Sequence, residues 1–155
     1  FWVDSDQAWE PASFIRVLGL ATLKDVVAAT YPGRHEGAGF FLTPLAEQAE
    51  ADEHGCIPVK ELGLGFACVK RKVVEELAER APLAIFKDIN GGEPIPHIFH
   101  MGVDEDGFAV GEDVGFWRDI RALGYSVNVD PTIRLGHIGP KVYTGALIDY
   151  LIKET

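Results

Sequence analysis

Four short stretches place polar side chains where an apolar run stops. The first is Asp4-Ser5-Asp6, directly after Phe1-Trp2-Val3. Side chains two apart on a strand point the same way. An extended chain here would bring two carboxylates together at a strand end, where α/β folds place ligands. Carboxylate oxygens suit hard cations such as Mg²⁺ and Mn²⁺, although Asp-x-Asp alone is also the composition of a turn. The second stretch is Gly63-Leu64-Gly65-Phe66. Glycines let a backbone approach a ligand closely, and a helix start offers free N–H groups. By itself the stretch reads as a sharp turn. The third, Gly111-Glu112-Asp113, opens a helix-like run. Acids in a first turn gain about 0.3–1 kcal/mol from the helix dipole, and a carboxylate ionised at neutral pH can accept a substrate proton. The fourth is Gly136-His137-Ile138-Gly139, whose imidazole is a common type of metal ligand and whose plain alternative is a structural role. His97 and His100 fall in an irregular segment and His35 and His54 in surface loops, and none of the four receives a role.

The elements that must position these residues follow from hydrophobic spacing. Phe1 to Val3 reads as the end of a buried strand, and Trp9 to Leu23 as a helix with Pro11 in its first turn. Asp25 to Tyr31 reads as a central strand stopped by Pro32-Gly33. Residues 33–56 read as loop with a small helical stretch from Pro44 to Ala51, and Ile57 to Leu62 as a strand. The glycine turn then leads into a helix over Phe66 to Arg80. Residues 87–109 are irregular around a short strand at Ile95 to Phe99. Glu112 to Leu123 reads as a helix stopped by Gly124. Tyr125 to Val129 and Thr132 to Leu135 read as short strands, and Lys141 to Glu154 as a final helix. The mixed order of strands and helices predicts a layered α/β domain, with no internal repeat and no linker.

Composition narrows the function classes. The chain has 155 residues, one domain's worth, and a formal charge of −10. Phosphate backbones attract a surplus of Lys and Arg, so nucleic acid is an unfavourable partner, and Lys70-Arg71-Lys72 reads as a solvated helix face. Anionic ligands that arrive with a divalent cation remain compatible, because the metal supplies the positive charge. The two cysteines, Cys56 and Cys68, have no metal-type spacing and point to a reduced, cytoplasmic setting. Cys68 reads as a small buried hydrophobe and Cys56 as a loop thiol. The apolar runs fall short of the ~20 residues a membrane span needs. The single Met is Met101, and the chain opens on Phe1-Trp2-Val3, which reads as the downstream part of something longer.

Taken in order, the four stretches resemble the signature of the GT-A-fold nucleotide-sugar glycosyltransferases, in particular family 2-like enzymes. That signature is a DxD after a strand, a glycine-rich loop, an xED opening a helix, and a C-terminal His. The flanks resemble the family too: GLGFACVKRKVV over Gly63 to Val74, and GEDVGFWRDIRALGYSVNVDPTIRLGHIG over Gly111 to Gly139. The resemblance spans residues 1 to about 145. It implies a GT-A-like, Rossmann-like mixed sheet flanked by helices, acting on a nucleotide-diphosphate sugar donor and a carbohydrate or other hydroxyl acceptor with Mn²⁺ or Mg²⁺. It implies that Asp6 binds the cation bridging the donor diphosphate, with Asp4 on the ribose or the metal and Ser5 between them. It implies that Gly63, Leu64 and Gly65 line the donor-sugar and acceptor side. Asp113 would be the catalytic base, Glu112 would hold acceptor or loop, and His137 would complete the metal shell. One base opposite the leaving group implies inversion.

The family also begins with a strand–helix unit that grips the nucleotide base, whereas this chain opens at the DxD strand. The 155 residues alone are therefore expected to bind a nucleotide sugar poorly. Two rivals stand beside this reading. A haloacid-dehalogenase-type phosphatase also carries a DxD after an apolar strand, but expects Thr or Val where Ala8 stands and gives His137 no task. A non-catalytic module with a glycosyltransferase-like fold would have no need for Asp6, Asp113 and His137 together.

Overall fold

The computed structural model describes residues 1–46, 50–87 and 90–152. The chain builds an α/β fold around a six-stranded mixed sheet. Its strands are β1 (Trp2–Val3), β3 (Val26–Ala28), β4 (Leu42–Pro44), β5 (Ile57–Leu62), β6 (Phe66–Val69) and β11 (Val127–Val129). They run in the order β1-β6-β3-β11-β5-β4, with β3 and β11 parallel and every other neighbour antiparallel. Helices α1 (Pro11–Leu23), α2 (Arg71–Arg80) and α3 (Glu112–Ala122) cover the sheet. A second sheet joins β2 (Gln7–Ala8), β12 (Arg134–Ile138) and β13 (Val142–Ala146) in the order β13-β12-β2, and α4 (Leu147–Leu151) follows. Two short hairpins, β7 (Leu83–Ala84) with β8 (Ile95–Pro96) and β9 (Gly102–Val103) with β10 (Ala109–Val110), fill the segment before α3.

Strand alternation explains why β3 is apolar throughout. Val26 and Ala28 belong to the core on the α2–α3 side, while Val27 and Ala29 belong to the core under α1 with Val17, Leu20, Phe66 and Leu135. A strand covered on both faces reads as a continuous apolar run. Pro11 occupies the first turn of α1, where its missing N–H costs nothing. On the other face Phe116, Trp117 and Ile120 of α3 are fully buried. The Trp117 indole N–H donates to the Leu62 carbonyl at 2.6 Å, pinning α3 to the end of β5. No helix among the described residues is long and apolar enough to cross a membrane.

Several expectations need correction. Phe66–Val69 is a strand between β1 and β3, and the helix starts only at Arg71. Phe66 packs under α1 and Ala67 on the opposite core, an alternation that a helical reading of the same apolar run hides. The glycine turn therefore joins two strands and offers no helix N-terminus. Residues 141–146 extend a strand against all of β12 rather than a helix, with β-branched and aromatic side chains suited to a pleated surface. Only Leu147–Leu151 is helical before the described residues end at 152. Phe1 to Val3 lies at a sheet edge, with Phe1 and Val3 each 40% exposed, and is not buried. Pro44 closes β4 instead of opening a helix, and residues 47–49 of that expected stretch lie outside the described residues. The cysteines exchange roles: Cys56 is fully buried and Cys68 partly exposed, because Cys56 enters the α1 core just ahead of β5. Burial pushes the Cys56 thiol pKa up.

Replacing Trp117 by Phe leaves the Leu62 carbonyl without its indole partner and opens space in the core. A loss of about 2–4 kcal/mol is expected in urea unfolding monitored by circular dichroism.

Candidate functional site

The site grows around one partly buried tyrosine that sequence reasoning did not single out. Tyr31 follows the apolar run of β3, and its ring lies beneath the β5–β6 turn. A Cβ placed on Gly63 would meet the Tyr31 hydroxyl at 2.5 Å, and one on Gly65 would meet the ring at 2.6 Å. Real side chains never approach so closely, so both glycines exist to admit this ring. The Gly65 backbone N–H supports the hydroxyl, yet burial dominates and holds the phenol pKa up at about 12. The charges of Asp113 and Asp4 push in the same direction. On its far side Tyr31 meets the His137 ring edge-on, with centroids 4.7 Å apart.

The four motifs become neighbours through this ring and a few backbone bonds. Asp4 donates its N–H to the Gly65 carbonyl at 3.0 Å. Leu64 donates its N–H to Asp113 Oδ2 at 3.1 Å. Asp113 opens α3, held in place one turn later by Trp117. Burial raises the Asp113 pKa; the Leu64 bond opposes the shift, and the neighbouring Glu112 and Asp4 charges add to it. The aspartate is thus a half-buried carboxylate with a tighter hold on its proton than an ordinary one. Beside it opens a cavity of about 350 Å³, lined by Phe41, Glu61, Asp104, Glu112 and Arg118. Phe41 is 58% exposed, a bare aromatic face within reach of the carboxylate.

The other end of the site gathers Asp6, Arg34 and His137. His137 Nδ1 lies 3.0 Å from the Pro32 carbonyl. A carbonyl only accepts, so Nδ1 donates its proton to it. Nε2 faces Asp6 Oδ2 at 3.6 Å. The same oxygen pairs with the guanidinium of Arg34, another residue the sequence did not reveal. Asp4-Ser5-Asp6 is a turn, closed by the Gln7 N–H on the Asp4 carbonyl at 3.1 Å, so strand alternation does not apply to it. Asp4 sides with Asp113 and Tyr31, Ser5 is exposed, and among the described residues no three His, Cys, Asp or Glu side chains converge. The expected trio therefore separates: Asp6 and His137 face each other, and Asp4 lies on the Asp113 side.

These contacts tie together residues from both ends of the chain within a single fold. No protein-family model matches the chain, and none of the curated proteins matches it in sequence. A solved structure does resemble it. The crystal structure of A197 from STIV superposes with a TM-score of 0.55 at 18% identity. The match covers 94% of this chain and 60% of that one, so the chain spans about three fifths of that relative's length. At this identity the likeness is one of fold alone.

Gln7 adds a further feature. It is 7% exposed, and neither amide atom of its side chain has a hydrogen-bond partner. It stands opposite His137 across the β2–β12 ladder, so the two side chains share a face. An unpaired buried amide costs about 1–3 kcal/mol. Gln7→Leu is expected to raise the melting temperature of the ligand-free protein by a few degrees in differential scanning calorimetry.

A second expectation follows from Asp113. Its folded pKa lies above its unfolded one, so ionisation is penalised in the native state, and the wild type loses that increment of stability as pH rises through the folded pKa. Asp113→Asn should therefore melt higher than wild type at pH 7, and the gap should close as pH falls below the ordinary carboxylate range.

Proposed function

We propose that the protein transfers a sugar from a nucleotide-diphosphate sugar to an acceptor hydroxyl, using a divalent cation, with inversion at the transferred carbon. One observation carries the reading: the contiguity of Asp6 with His137, of Tyr31 with the Gly63–Gly65 turn, and of that turn with Asp113. Residues from both ends and from the middle of the chain meet there, which supports a path from cation holder to sugar bed to base.

The roles follow from the chemistry. Asp6 and His137 would hold a divalent cation, which when bound would supply positive charge toward the diphosphate. The acceptor occupies the cavity beside Asp113, where Phe41 offers a face for apolar C–H groups and Glu61, Asp104 and Glu112 accept hydrogen bonds from hydroxyls. Asp113 takes the acceptor proton as the new bond forms. Its raised pKa makes it a better base than an ordinary aspartate while leaving it ionised near neutral pH. The bond from the sugar carbon to the diphosphate oxygen breaks, and that oxygen keeps the electron pair. The acceptor oxygen bonds the same carbon from the opposite face. Charge at the sugar is oxocarbenium-like, as in glycoside hydrolysis.

Saturation-transfer NMR on the full protein against UDP-, GDP- and TDP-sugars tests the reading. At least one donor should bind only with Mg²⁺ present, and Asp6→Ala and His137→Ala should each abolish that dependence. Asp113→Asn should retain Mg²⁺-dependent donor binding and lose transfer by more than a hundredfold, the usual scale for a general base. Transfer surviving in Asp113→Asn, or donor binding indifferent to Mg²⁺, overturns it.

A further inference from the structure

The second sheet ends in a strand whose outer backbone is unspent. Ile138 donates its N–H to the Asp6 carbonyl at 2.8 Å, on the β2 side of β12. Opposite residues on an antiparallel ladder alternate between bonded and non-bonded pairs. Ile138 faces Val142 and Gly136 faces Thr144, so both are non-bonded pairs between β12 and β13. Val142 and Thr144 therefore direct their N–H and C=O groups away from β12. Both residues are exposed, and among the described residues no backbone hydrogen bond takes those groups. We propose that β13 is a docking edge for a second copy of this chain. The two β13 strands pair antiparallel about a two-fold axis and join the three-stranded sheets of both copies into one. This contact is independent of the sugar-transfer reading.

Three observations select this edge and this occupant. Open strand edges invite pairing, and proteins blunt them by shortness, proline, charge or bulges. The other edges among the described residues are blunted in this way. β1, β2 and the hairpin strands β7 to β10 have two residues each, and β4 closes on Pro44 after a register shift at Thr43. In contrast, β13 has five residues, Val142–Ala146, with no charge, no proline and no shift in register against β12. Second, the strand complements itself. With Tyr143 facing Tyr143 of the copy, Val142 faces the copy's Thr144, and each such pair exchanges both N–H···O bonds. Aromatic side chains directly opposite each other add to a ladder. The pairing ends where the next outward positions meet, because Pro140 has no N–H and Ala146 is 2% exposed. Third, the ends fit in shape and charge. The copy's Pro140 and Lys141 arrive beside Ala146 and Gly145, at a groove of about 380 Å³ lined by Phe40, Gly145, Asp149 and Tyr150. Lys141 pairs with Glu36 and Arg134 with Asp149, all of them on the surface. Antiparallel pairing brings Lys141 of one copy to Asp149 of the other, and Glu36 to Arg134, opposite charges in both cases.

Sedimentation velocity on the full chain measures the association directly. Wild type should pass from monomer to dimer as its concentration rises. Thr144→Pro should stay monomeric, since proline is tolerated on an edge strand whose N–H faces outward. Lys141→Glu should dimerise about tenfold more weakly, the scale of two exposed ion pairs lost across the axis. Adding Asp149→Lys to Lys141→Glu should restore the dimer, a recovery that a misfolded variant cannot show and that decides the matter if Thr144→Pro fails to fold. Amide exchange followed by NMR should slow at Val142 and Thr144 in concentrated wild type relative to dilute. A monomer at every concentration up to about 1 mM, the weak end of specific association, overturns the proposal. So do a dimer undiminished in Thr144→Pro, a charge-swapped variant that fails to recover, and a dimer whose Val142 and Thr144 amides exchange as they do in the monomer.

Discussion

The partly buried ring of Tyr31 is the constraint on which the site depends. It occupies the space beneath the β5–β6 turn that side chains at positions 63 and 65 would need. It also meets His137 edge-on. The turn above it is fastened twice more, by the Asp4 N–H on the Gly65 carbonyl and by the Leu64 N–H on Asp113. A single aromatic wedge thus sets the spacing between Asp113 and the Asp6–His137 pair. Its phenol stays neutral far above physiological pH, so the wedge contributes shape and dipole rather than charge.

The charge distribution gives each end of the site its own character. The Asp113 end collects Asp4, Glu61, Asp104 and Glu112, with Arg118 already paired to Glu61 at 3.1 Å. Mutual repulsion and burial there favour a carboxylate that retains its proton longer than usual. The His137 end has cations at hand, Arg34 on Asp6 and Lys141 on Glu36. Away from both ends, a cavity of about 200 Å³ beside the His100–Asp119 pair touches none of the four motifs.

Much of this was legible in the residues. Ile57–Leu62 and the α3 start at Glu112 match their expected bounds, because clean apolar spacing and a glycine stop leave little ambiguity. Phe66–Val69 was not legible as a strand, since a short apolar run fits a buried strand and a helix face equally well. Only its slot between β1 and β3 decides. The tail fails for a similar reason: Val142–Ala146 becomes a strand by pairing along the whole of β12, a partner that spacing does not identify.

By itself the sequence determined an α/β chain, four polar stretches at element ends, and an acidic balance hostile to nucleic acid. Those properties depend on residue types and local periodicity, which act over a few residues. The tertiary structure alone decided that Asp4 and Asp6 part company, that Tyr31 sits under the glycines, and that Arg34 rests on Asp6. Each of these is a meeting of side chains distant in the chain or turned by a backbone bend. Such meetings are set by how sheets, turns and helices pack in space, which no local pattern encodes.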